Sequence, residues 1–145
     1  DNQISKYISR VSGPLLERID LHIEVAPVGF SDIASPKKGE PSSAIRERVM
    51  RAREIQKKRF KGTDIRCNAD LKTNIDEYFR ISGELYAKTE EIFNRLNMSA
   101  RVYQKLWKIS RTIADLEGSD DISERHIFQA VQYRSLDRKY WFSKS

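Results

Sequence analysis

Cysteine is nearly missing from this chain. A single thiol, Cys67, in 145 residues leaves no partner for an internal disulfide and fits a reducing, cytoplasmic setting. With only His22 and His126 beside it, the sequence also lacks the residues of a four-ligand zinc site built from cysteine and histidine. Long apolar runs are missing too. Charged residues make up 33% of the chain and the mean hydropathy is -0.66, so no segment is suited to cross a bilayer. The opening residues Asp1 to Lys6 carry neither a basic run nor an apolar stretch, and no secretory leader is expected. There is no G-x-x-x-x-G-K-[ST] loop and no apolar strand ending in acidic residues, so the chain alone is not expected to cradle a triphosphate or hold Mg2+. No Ser/His/Asp or Cys/His set and no isolated pair of carboxylates can be assembled.

What is present is an excess of positive charge, a formal +6, which favours polyanionic partners. The excess is concentrated. Between Ala44 and Lys61 eight basic residues stand against Glu47 and Glu54, which equals the surplus of the whole chain. This stretch reads as a helix of about 42–60, capped by Ser42 or Ser43, with Ile45, Val49, Ala52, Ile55 and Phe60 on one arc and Arg46, Arg53 and Lys57 on another. The basic arc is open to two readings, a solvated helix face or a contact with nucleic acid or an acidic neighbour.

Ile19, Leu21, Ile23 and Val25 alternate with Asp20, His22 and Glu24, the period of a half-buried strand. A first helix is expected before it, with Ile4, Tyr7, Ile8 and Val11 on one face, ended by Ser12-Gly13-Pro14. No other stretch is as clearly a strand, and a lone strand has nothing in its own chain to pair with. Pro27, Pro36 and Pro41 mark residues 27–41 as a linker. After the basic helix come a short helix near 72–79, one starting at Gly83, one capped by Ser99 and ended by Gly118 with Val102, Leu106, Ile109, Ile113 and Leu116 as its apolar face, and one capped by Ser123. The expected fold class is therefore mainly α, a small helical bundle over 42–145 preceded by one helix and one strand in residues 1–26.

Two arginines stand out. With Ser99 as cap, Arg101 occupies the second helical position, where the macrodipole disfavours a cation but where exposed N–H groups and a guanidinium together suit a phosphate. Lys105 and Lys108 extend the same face. An ordinary surface arginine is the other reading. Arg18 stands at the entrance to the strand, where Glu17 and Asp20 could hold it in a plain ion pair.

The run from Tyr7 to Val25, with Ser12-Gly13-Pro14-Leu15-Leu16-Glu17-Arg18-Ile19-Asp20 inside it, closely resembles the magnesium-chelatase-like AAA+ ATPases of the ComM-like branch. So do Met98-Ser99-Ala100-Arg101, Ser110 to Gly118 and the ending Gln132 to Arg138. The resemblance implies that the chain is a C-terminal part of such a protein, the end of the AAA+ core followed by the helical lid, with the nucleotide-binding loops upstream. It implies that Arg18 is an arginine finger acting in trans, that Arg101 is the sensor 2 arginine, and that the basic helix is the insertion that in this clade separates core from lid. It further implies ATP and Mg2+ as cofactors of the full-length protein, with none expected on this part alone. The implied partners are the upstream core, further copies in a ring, with a hexamer expected, and DNA, which the ring would remodel as a helicase or branch-migration motor. Two alternatives remain: the ATPase subunit of magnesium chelatase, driving metal insertion into a porphyrin, and a non-enzymatic binding module with a lid-like fold.

Overall fold

The computed structural model describes residues 13–30, 39–96 and 98–134, and these form a helical bundle. The elements are α1 (Gly13–Leu16), α2 (Ser42–Arg59), a 3-10 turn (Asn68–Asp70), α3 (Ile75–Phe79), α4 (Gly83–Arg95), α5 (Ala100–Glu117) and α6 (Glu124–Gln132). The expected first helix and the aromatic tail, Tyr140 to Phe142, lie outside the described residues.

Helix α5 is the axis of the bundle, and α2, α3, α6 and the 3-10 turn all pack on it. Its limits follow from local chemistry. The Ser99 hydroxyl accepts the Val102 N–H at 3.4 Å, and Gly118 adopts φ 73°, a left-handed conformation that costs glycine nothing and lets its N–H and that of Ser119 return to the carbonyls of Asp115 and Ala114. The deepest residues of α5 differ from the arc suggested by spacing. Val102 and Leu106 are buried as expected, but Ile109, Ile113 and Leu116 are only partly buried, and the innermost face is Leu106, Trp107, Ser110, Arg111, Ala114 and Asp115. A helix surrounded on most sides has no polar back, so its apolar arc does not mark its most buried side.

Trp107, Phe60, Leu71, Phe79, Leu85, Ile92 and Ile127 close the core around it. Tyr103 meets Tyr86, Phe93 and Trp107 edge to face, with centroids 6.4, 5.3 and 6.1 Å apart. Helix α4 starts as expected, with the Ser82 hydroxyl accepting the Leu85 N–H at 3.2 Å. At α6 the usual glutamate of a capping box is replaced by His126, whose Nδ1 accepts the Ser123 N–H at 2.9 Å. That leaves the proton of the neutral ring on Nε2, 3.1 Å from the Glu117 carboxylate.

Two local expectations are corrected. Neither Ser42 nor Ser43 caps α2. The cap position is Pro41, whose carbonyl accepts from Ala44 and Ile45, and both serines already lie inside the first turn. The arc of α2 is also only half used. Ala52, Gln56 and the following Phe60 are buried, while Ile45 and Val49 stand 42% and 43% exposed, so the helix is buried only from its middle onward. Residues 21–29 form no ladder: a strand needs a neighbour to take its N–H and C=O groups, and none is present among the described residues. Ile19, Leu21, Ile23 and Val25 consequently face solvent at 43 to 83% exposure.

Candidate functional site

The start of α5 and the segment 17–22 meet at one end of the bundle. Arg101 reaches back to Glu17, Nη1 to Oε2 3.5 Å. One turn later, Lys105 donates to the carboxylate of Asp20 and to the backbone carbonyl of Arg18. From the other side, the buried Arg134, just after α6, donates through Nη1 to the carbonyls of Ile19 at 2.6 Å and Asp20 at 3.2 Å. The His22 N–H closes the set on the Tyr133 carbonyl at 2.7 Å. A backbone with no regular secondary structure is thus fixed from Arg18 to His22.

The consequence falls on Arg18. The two acids that could have neutralised it are both drawn off, Glu17 by Arg101 and Asp20 by Lys105. Its exposed guanidinium has no hydrogen bond or ion pair among the described residues. Arg101 remains 54% exposed, and a pair as long and as open as Arg101–Glu17 is worth only about 0–1 kcal/mol, so it presents little resistance to an incoming phosphate. Arg101 is thus tied to the residue that precedes Arg18.

Beside this end lies a mainly apolar cavity of about 360 Å3, bounded by Leu21, Lys105, Lys108, Ile109, Ile113 and Tyr133. Lys108 is anchored at its rim by the Ala69 carbonyl at 3.1 Å. The half-buried isoleucines of α5 thus line a groove with one side while packing against the core with the other.

The other candidates, Arg46, Arg53 and Lys57, are exposed on α2, and none of them contacts Arg101 or Glu17 through a hydrogen bond or ion pair among the described residues. Spacings of seven and four residues place them on one helical face, spread over about 16 Å of axis. None of the three takes part in a salt bridge among the described residues, whereas Arg48 is engaged by Glu40 at 2.8 Å and Arg51 by Glu47 at 2.9 Å.

Sequence reasoning missed what holds α2 in place. Asp115, fully buried, accepts from Arg59 at 2.5 and 2.9 Å, Arg111 Nε at 3.0 Å, Asn68 at 2.8 Å and Gln56 at 3.1 Å. Arg111 spends its remaining donors on the carbonyls of Asp120 at 2.8 Å and Ser119 at 2.6 Å. Burial alone would raise the Asp115 carboxyl, but the hydrogen bonds from Arg59 and Asn68 and the charges of Arg59 and Arg111 outweigh it and hold the group below the usual carboxylate range. Burial pushes Arg111 down, against the pull of Asp115. The available signal was Arg111 and Asp115 at i and i+4 in mid-helix, a spacing equally common in surface pairs. Lys105 could be read only as part of the positive face of α5, and Arg134 left no signal, since the carbonyls they hold and Asp20 lie more than 80 residues away.

Among the described residues, no three His, Cys, Asp or Glu side chains are grouped to hold a metal ion, and no helix is long and apolar enough to cross a membrane.

The family profile described as magnesium chelatase, subunit ChlI C-terminal, matches residues 39–134, and that described as magnesium chelatase, subunit ChlI, matches residues 1–33. The chain is 36% identical over 142 residues to the competence protein ComM of Haemophilus influenzae. It is 39% identical over 140 residues to the uncharacterized protein YifB of Escherichia coli, and 38% over 139 residues to YifB of Salmonella typhimurium. Each match covers 94% of this chain but 26% of the relative, so the chain spans about a quarter of the length of these proteins.

Proposed function

The chain belongs to the magnesium chelatase ChlI family, and from that premise we propose that it is the C-terminal part of a ComM-like AAA+ ATPase whose ring remodels DNA. In this reading the chain brings positive charge to a nucleotide site completed by other residues. ATP with Mg2+ would supply the cleavable phosphoanhydride. Arg18 reaches the γ-phosphate held by a neighbouring subunit and stabilises the charge that develops as the bond breaks, a contribution of about 10³ to 10⁵ in rate for such fingers. Arg101, at the N-terminus of α5, contacts the same phosphate and reports its presence to the lid.

The observation that supports this most is the state of Arg18. Its backbone is clamped on two sides while its guanidinium has no partner among the described residues, which is a poor choice for stability and a good one for reaching across to another subunit. An exposed cation held on an ordered backbone loses little freedom when it meets a phosphate. Arg101 fits the second role because Glu17, its carboxylate partner among the described residues, is distant and part-exposed. DNA as the substrate is supported by the exposed row Arg46, Arg53 and Lys57 and by the competence protein among the relatives. Porphyrin metallation would use Arg18 and Arg101 in the same way but has no use for a DNA-facing row.

In the full-length protein, Arg18→Ala is expected to abolish ATP hydrolysis while nucleotide binding, measured by equilibrium titration, stays unchanged. Unaltered turnover would remove the finger assignment.

A further inference from the structure

We propose that Lys105 and Arg134 are positioning residues for Arg18, joining the arginine-bearing segment to the lid bundle so that Arg18 and Arg101 move as one body. The inference rests on the reading of Arg18 given above but concerns different residues and a different property. Arg18 belongs by sequence to the part preceding the lid, and Arg101 to the lid itself. If they were independent, rotation of the bundle would move Arg101 and leave Arg18 behind.

The geometry says otherwise. Lys105 is one turn from Arg101 on α5, and its side chain, only 17% exposed, spends its ammonium on the Arg18 carbonyl and the Asp20 carboxylate. Arg134 is 2% exposed and turns a guanidinium nitrogen to the next two carbonyls, those of Ile19 and Asp20. Three successive carbonyls, of residues 18, 19 and 20, are therefore held by cations rooted on two different elements of the bundle, and the His22 N–H is held by Tyr133. In a β-ladder these groups would be served by a neighbouring strand; here the bundle serves them. A displacement of α5 is transmitted to Arg18 through hydrogen bonds from side chains that are themselves largely buried.

The test is made on the full-length protein with Lys105→Met, which keeps the aliphatic stem and removes the ammonium, and with Lys105→Arg as the conservative variant. Hydrogen exchange of peptides covering 17–25 is read alongside steady-state ATPase kinetics, with Arg18→Ala measured in parallel. The expected result for Lys105→Met is faster exchange confined to 17–25, unchanged thermal melting, kcat lower by about ten- to a hundredfold with KM for ATP unchanged, and recovery of most of the loss in Lys105→Arg. Unchanged exchange in 17–25 would overturn the proposal, because the segment would then be held without the clamp. Faster exchange with unchanged kcat, in a protein that Arg18→Ala inactivates, would also overturn it, since Arg18 would then act without being positioned. Should Arg18→Ala leave turnover intact, the finger reading fails on its own, and the exchange result alone decides whether segment and lid are one body.

Discussion

Asp115 is the residue on which the bundle's polar interior depends. It takes five hydrogen bonds from four side chains, two of them cationic, and its removal would leave Arg59 and Arg111 without their shared counter-ion. Stranding a buried charge in this way costs about 3–5 kcal/mol, so Asp115→Ala is expected to lower the thermal midpoint by roughly 10 °C or more, read by circular dichroism. The same site gives a pH signature. A carboxyl held below its unfolded value of about 3.9 contributes stability that is complete above that value and is lost as pH falls through the depressed folded one. Acid titration of Asp115→Asn should therefore show a shallower loss of stability below about pH 4 than the parent, though starting from a lower plateau. An equal slope in both would place the acid sensitivity elsewhere. At this scale little was legible beforehand. Arg18 and Arg101 could be singled out from local sequence, as the entrance to an alternating stretch and the first turn of a capped helix, whereas Asp115 and Arg134 acquire their meaning from partners more than 40 residues away.

Among the elements, α2 serves the core with one face and carries the basic row on another. Its inner face supplies Gln56 and Arg59 to the Asp115 cluster, and its outer face carries Arg46, Arg53 and Lys57. An outer face devoted to phosphates should announce itself in salt dependence. Reversing all three charges is expected to weaken DNA binding by the full-length protein and to reduce the slope of log affinity against log salt by about one for each phosphate no longer neutralised. A slope unchanged within error would make the row an ordinary solvated surface. Helix existence was read correctly from sequence for α4, α5 and α6, and the cap positions for α5 and α6, because serine caps and the terminal glycine act locally. The α2 cap was misread since the helix begins directly after Pro41, which puts both serines inside its first turn and leaves the cap position without a side-chain hydrogen bond. The inward face of α5 was misread since a central helix buries polar residues once they satisfy one another.

For the molecule as a whole, the mainly helical class and the family were both legible, the first from periodicity and the second from long blocks such as 7–25 and 110–118. The alternation of Ile19, Leu21, Ile23 and Val25 describes a surface that the described residues do not cover, which is why it reads as strand in sequence and lies open in the structure. What periodicity could not convey is that this segment is fastened to the lid at Arg18, Ile19 and Asp20. The central claim is that Arg18 serves a nucleotide bound by another copy. It is tested most directly by mixing two inactive full-length proteins, one carrying Arg18→Ala and the other disabled in its upstream phosphate-binding loop, and measuring ATP turnover in the mixture. An arginine acting in trans predicts that turnover reappears, since some interfaces then pair an intact loop with an intact Arg18. Mixed rings that form but remain inactive would contradict it.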